Sequence, residues 1–146
     1  MKLTIPIIPK AQQRARHAVR GKHAMAYKAG SQRRAEETIK AYLLPYVPKK
    51  PLTGAICLSV MVFLPIPKSK PKWWKENAAA GRIVPTTKPD LDNLIKNIKD
   101  CLTDMRFWTD DRLVVKYGPG TGKYYSDDPR WEIEIEEVET DASRQP

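Results

Sequence analysis

Residues 54–64, Gly-Ala-Ile-Cys-Leu-Ser-Val-Met-Val-Phe-Leu, set the strongest limit on how this chain can fold. The run is almost continuously apolar, so both faces of a strand built from it need shielding from water. Pro65 and Pro67 end it, because proline brings no amide donor to a ladder. The run therefore predicts a central strand, buried on both faces, within a sheet that carries helices.

The other periodic segments supply the rest of that architecture. Leu3, Ile5 and Ile7 alternate with Thr4 and Pro6, which reads as a strand at an edge or a bulge. Ser31 can cap a helix over 32–44 whose apolar face is Ala35, Ile39, Tyr42 and Leu43, with Pro45 ending it. After Pro89 comes the clearest helix, with Leu91, Leu94, Ile95, Ile98, Leu102 and Met105 on one stripe. Asp92, Lys96, Lys99 and Thr103 run along its flank, and Asn93, Asn97, Asp100 and Asp104 are expected to face further out. Residues 111–117 read as a strand. In the last strand Trp131, Ile133 and Ile135 point inward and Glu132, Glu134 and Glu136 outward. Residues 118–123 fail as a phosphate-binding loop, since Tyr117 and Tyr124 stand where its first glycine and its Ser/Thr belong, and they read as a flexible connection. The expected fold is α+β: a small mixed β-sheet in β-α-β-α-β-β order with helices packed on it. Residues 1–138 form one domain and 139–146 a disordered tail.

Charge narrows the partners. The net charge of +9 is uneven: residues 127–146 sum to −6, so residues 1–126 hold 24 basic and nine acidic side chains, a balance of +15. Such a surface attracts polyanions, nucleic acid foremost. Residues 9–30, with Lys10, Arg14, Arg16, Arg20, Lys22 and Lys28, show no apolar period and read as a long basic loop, either an arm that grips phosphates and orders on DNA or a merely solvated loop. Around Trp73 and Trp74, lysines 68, 70, 72 and 75 could hold a backbone while the rings stack on bases; equally, the rings could fill a core or a dimer contact. No apolar stretch approaches a membrane span, and Met1–Pro6 lacks the apolar run of a signal peptide. Cys57 and Cys101 have no zinc spacing and are expected as free thiols of a cytoplasmic protein. His17 and His23 lack an i,i+4 metal spacing.

Acids clustered in so basic a chain require a reason. Asp90 and Asp92 stand at the start of the 91–105 helix, and Asp110-Asp111 follow it. Carboxylates held close ionise together only with a cation between them, and hard oxygen ligands suit Mg²⁺ or Mn²⁺. Lys96 lies one turn beyond Asp92. It could form an i,i+4 salt bridge or place its ammonium beside a phosphate. Spacing alone leaves these readings open, since such acid pairs are also common in caps and turns.

The string Lys88-Pro89-Asp90-Leu91-Asp92-Asn93-Leu94-Ile95-Lys96, followed by Asp100 and by Phe107-Trp108-Thr109-Asp110-Asp111, resembles the RusA family of Holliday junction resolvases. Ile5-Pro6, Pro9-Lys10 and Arg14-Ala15-Arg16 resemble that family's opening, with Ala15 where relatives often have proline. Pro129–Ile133 is similar to its closing strand, and the tryptophan-lysine stretch at 68–80 departs from it. The resemblance implies a dimeric, Mg²⁺-dependent endonuclease, with Mn²⁺ as a substitute, that cuts four-way DNA junctions by paired symmetric nicks in recombination and repair. Asp90, Asp92 and Asp111 would bind the metal, and with Lys96 they would be the catalytic set. Expected DNA contacts are Lys10, Arg14, Arg16, Lys70, Lys72 and Lys88. The expected setting is the nucleoid, with a phage-encoded origin open. Two alternatives are a non-catalytic basic DNA-binding protein and a nuclease that prefers forks or flaps.

Overall fold

A computed structural model describes residues 1–12, 16–20, 23–27 and 30–140, the two short stretches by their backbone. In chain order the elements are β1 (Lys2–Ile5), β2 (Arg16–Arg20), β3 (His23–Tyr27), α1 (Gly30–Leu43), β4 (Ile56–Pro65), α2 (Lys72–Ala79), α3 (Leu91–Asp104), β5 (Val114–Tyr117), β6 (Gly122–Ser126) and β7 (Arg130–Glu137). The α+β class holds, with a mixed five-stranded main sheet and three helices among the described residues, but four further elements, β2, β3, α2 and β6, interrupt the expected β-α-β-α-β-β order. Residues 9–30 are not one irregular loop: β2 and β3 form an antiparallel hairpin, Arg16 opposite Tyr27 and Arg20 opposite His23. The hairpin forms a sheet of its own, so hydrophobic periodicity gave no sign of it. An additional helix, α2, carries Trp73 and Trp74.

The run that opened the sequence is the middle of the main sheet. β4 pairs antiparallel with β7, which pairs antiparallel with the edge strand β1. The opposite edge of β4 is shared by two short parallel strands, β5 along its first half and β6 along its second. The glycine-rich segment between them is built into this edge and is not the free connection expected. Gly118 N–H donates to Leu58 O at 2.9 Å, and the Thr121 hydroxyl accepts from Val60 N–H at 3.2 Å. A Cβ at Gly118 would collide with the Ser59 hydroxyl, so a larger residue here would need the Ser59 side chain to turn aside.

One face of the sheet is sealed and the other is not. Ile56, Leu58, Val60, Val62 and Leu64 of β4, with Leu3, Ile5, Trp131, Ile133 and Ile135, are buried under α1 and α3. α1 contributes Ile39 and Leu43; α3 contributes Leu94, Ile95, Ile98, Cys101 and Leu102. Each such side chain stabilises the fold by roughly 1.5–3 kcal/mol relative to exposure. On the opposite face Cys57, Met61 and Phe63 are only half-buried, so the expectation of burial on both faces holds for one. Phe63 is covered there by Tyr124, stacked at 5.4 Å, and by the Arg130 guanidinium, 3.9 Å above its ring. Asn97 also departs from its expected outward position. It is 1% exposed, and its side-chain amide donates to the Lys10 carbonyl at 3.0 Å. A polar side chain joined this apolar face because it could satisfy a backbone acceptor there.

Candidate functional site

The site lies along the flank of α3, and the chain is folded back to it by the helix's two ends. Asp90 is the N-cap, with extended backbone (φ −68°, ψ 141°), and its carbonyl accepts the first helical bond from Leu94 N–H at 3.1 Å. Its side chain makes no capping hydrogen bond, although an N-cap aspartate usually accepts one. The loop before it is held from β6: the Lys123 ammonium donates to the carbonyls of Thr87 and Pro89, both at 2.9 Å.

At the other end, Phe107 N–H reaches back to Leu102 O and Arg106 N–H to Thr103 O, both at 3.0 Å. Arg106 takes a left-handed φ of 64°, the position that usually calls for glycine in this helix ending. The turn drives Phe107 and Trp108 into the core, and the Trp108 indole donates to the Thr103 hydroxyl at 2.7 Å. Leu52 brackets the segment, donating to Phe107 O at 2.9 Å and accepting from Thr109 N–H at 3.1 Å. Residues 110 and 111 are thereby delivered beside α3.

There the two neighbouring acids divide. The Asp110 carboxylate accepts from Arg112 N–H at 2.8 Å and caps a short 3-10 turn, Asp111–Leu113. This turn replaces the first three residues of the strand expected over 111–117. The Asp111 side chain lines an open pocket of about 280 Å³ with Asp92, Ile95, Lys96, Lys99, Asp100 and Tyr117. Among the described residues, the carboxylates of Asp90, Asp92 and Asp111 take part in no hydrogen bond or ion pair. Lys96 is paired with Asp100, Nζ to Oδ2 at 3.1 Å, and Lys99 donates to the Tyr117 hydroxyl at 3.4 Å. Asp92, Lys96 and Asp111 are thus brought to one pocket, while Asp90, the N-cap of α3, is not among the lining residues. Sequence reasoning assigned no role to Lys99, Asp100 or Tyr117. The flank stripe had signalled Lys99, seven residues from Asp92, and Asp100 stood among the residues that carry the family resemblance, whereas Tyr117 gave no comparable sign.

The family model for Endodeoxyribonuclease RusA matches residues 6–136. The chain belongs to the RusA family. It is 34% identical over 140 residues to the uncharacterized protein YqaN of Bacillus subtilis (strain 168), covering 94% of this chain and 96% of that one. It is also 32% identical over 128 residues to the crossover junction endodeoxyribonuclease rusA of Lactococcus phage r1t, covering 87% and 88%. The family match spans both arms of the pocket, α3 and the turn at Asp111.

The donor set of this RusA pocket fits a hard divalent cation. Asp92 and Asp111 offer carboxylate oxygens that no protein donor occupies among the described residues, and neither histidine nor cysteine lines the pocket. Among the described residues no three acidic, histidine or cysteine side chains are drawn together into a closed cage. An open pair of carboxylates suits Mg²⁺, which keeps several of its waters and binds through one or two carboxylates plus substrate phosphate. No helix among the described residues is long and apolar enough to cross a membrane.

None of the expected DNA contacts is among the residues lining the pocket. Lys10 is exposed beside α3, Lys88 is exposed just before it, and Lys70 and Lys72 are exposed at α2. Arg16 is in β2, and Arg14 lies outside the described residues. The two tryptophans have different positions. Trp74 packs edge-on against Tyr125 of β6 at 5.4 Å with the Lys70 ammonium 5.0 Å from its ring, and Trp73 is 63% exposed.

Proposed function

We propose that this protein is a Mg²⁺-dependent endonuclease that resolves four-way DNA junctions by paired symmetric nicks, acting as a homodimer through a nuclease domain over residues 1–138. The observation that carries the reading is the pocket itself: Asp92 and Asp111, free of protein partners, face Lys96 within a basic surface. Asp92 and Asp111, with Asp90 at the start of the helix, would hold the metal, which supplies Lewis acidity at a phosphoryl oxygen and a lowered pKa for bound water. The Lys96 ammonium offsets the charge that develops on the phosphoryl oxygens. Hydrolysis leaves a 5′-phosphate and a 3′-hydroxyl. The excess positive charge of residues 1–126 supplies phosphate contacts, so binding weakens steeply as salt rises. A junction has two-fold symmetry, and a C2 dimer presents two equivalent sites to it. The name borne by the Lactococcus phage relative supports the same substrate and the possibility of phage origin.

The test is a synthetic mobile junction incubated with protein in Mg²⁺ or EDTA, beside fork, flap and linear duplex. Paired nicks that need Mg²⁺, and that vanish in Asp92→Asn while junction binding persists or tightens, are the expected result. Near wild-type cutting by Asp92→Asn would show the site to be misassigned. Binding without cleavage would leave a non-catalytic DNA-binding protein, and faster cutting of forks or flaps would change the substrate.

A further inference from the structure

The mechanism above leaves one neighbour of Lys96 without a role. Asp100 Oδ2 accepts from Lys96 Nζ at 3.1 Å and also from the Gln12 side-chain amide at 2.9 Å. Gln12 comes from the far end of the sequence, at the last described position before the β2–β3 hairpin. Two residues earlier, Lys10 is tied to the same helix through Asn97, which is buried. The segment at residues 10–12 is therefore clasped to α3 at two successive places, and the second of them is the carboxylate that holds Lys96. Asp100 also stands between two pockets: it lines the one with Asp92, Lys96 and Asp111, and an adjoining one with Gln12, Asp110 and Asp111.

We propose that Asp100 is a positioning residue that aims Lys96 at the scissile phosphate and is itself fixed by Gln12. The inference rests on the nuclease reading and extends it. A lysine ammonium at the end of a four-carbon stem has many rotamers, and the Lys96 side chain is 63% exposed. An exposed i,i+4 ion pair adds little to stability, so stability alone gives Asp100 no evident purpose. Asp100, however, is two-thirds covered, and its Oδ2 is fixed by a second donor from a distant segment, so it gives Lys96 a defined anchor. Both hydrogen bonds fall on Oδ2, which is thereby committed to Lys96 and Gln12, and the Mg²⁺ requirement measured below tests whether Oδ1 meets the metal instead. The contact with Gln12 also links the lysine to the segment that leads into the hairpin.

The experiment compares wild type with Asp100→Ala, Asp100→Asn and Gln12→Ala as full-length proteins. Preformed protein–junction complexes are started with Mg²⁺ in single turnover. Junction affinity without Mg²⁺, the Mg²⁺ concentration for half-maximal rate, and the melting temperature are measured alongside. Asp100→Ala is expected to cut about 10–100-fold more slowly, the scale of a misplaced catalytic group. Its junction affinity should be unchanged or tighter, with the same Mg²⁺ requirement and the same melting temperature. Asp100→Asn keeps a carbonyl acceptor and should recover much of the rate, and Gln12→Ala should fall between wild type and Asp100→Ala. An Asp100→Ala rate within twofold of wild type overturns the proposal. So does a raised Mg²⁺ requirement, which would make Asp100 a ligand, or a rate loss matched by loss of folding in both Asp100 variants. A wild-type protein that cuts none of the branched substrates overturns the nuclease reading, and the role of Asp100 falls with it.

Discussion

Replacing each of the adjacent acids in turn separates two roles that residue type and periodicity alone do not distinguish. Asp110 accepts Arg112 N–H at 2.8 Å and caps the 3-10 turn, while Asp111 faces the pocket without a protein partner. Losing a cap of this kind costs about 1 kcal/mol. For a chain of 146 residues that corresponds to a fall in Tm of roughly 3 °C. Asp110→Ala should show this fall, whereas Asp110→Asn, which still caps, should melt near wild type. Both should keep most of their Mg²⁺-dependent junction cleavage, because the turn still delivers Asp111. Asp111→Asn should behave in the opposite way, with an unchanged or slightly raised Tm and a loss of cleavage of at least about 10²-fold, the scale of removing a group that acts on the transition state. Calorimetry or a thermal shift gives the stability, and single-turnover cleavage of a labelled junction gives the rate. If Asp111→Asn cut normally and Asp110→Asn did not, the assignment of the two acids would be reversed and the reasoning refuted.

Two further perturbations test the aromatic helix and the buried thiol. Trp73→Ala should leave Tm unchanged and weaken binding to junctions with unpaired bases at the branch point, whereas Trp74→Ala, which removes the contact with Tyr125, should lower Tm; equal binding by wild type and Trp73→Ala would exclude the stacking role. Burial pushes the Cys101 thiol up to about 12 from 9.0, with Glu36 adding to the rise, so above pH 9 the unfolded chain sheds this proton and the folded protein keeps it. Stability should therefore fall between pH 9 and about 12, by at most roughly 1.4 kcal/mol per pH unit from this group, and denaturant melts of Cys101→Ala should lack that part of the slope.

Local pattern was most informative where one periodicity served one purpose. The α3 stripe and the alternation of β7 were legible because water excludes those side chains whatever lies opposite. Asn97 broke the pattern because its burial depends on the Lys10 carbonyl, 87 residues away in sequence. The β2–β3 hairpin, and the fitting of β5 and β6 end to end along β4, escaped notice because short strands with mixed side chains carry little periodic signal. The glycines at 118–122 read as loose chain, yet Gly118 N–H is bonded to Leu58 O and the Gly118 backbone lies against the Ser59 side chain.

The sequence by itself determined the α+β class, the face of α3 that is buried, and the family, because apolar period and the Pro-Asp-Leu-Asp-Asn-Leu string are local properties of the chain. It also placed Asp92 and Lys96 on one helical flank, since helix geometry fixes that relation. The family resemblance pointed to Asp111 of the later pair, and the tertiary structure supplied the physical reason that it and not Asp110 lines the pocket. The left-handed turn at Arg106 and the burial of Phe107 and Trp108 bring the chain back, and the hydrogen bond at Arg112 consumes Asp110 and leaves Asp111 free. The tertiary structure also brought Gln12 to Asp100, the i,i+4 partner of Lys96. Contacts between residues far apart in sequence depend on the closing of the core, and no window of sequence contains them.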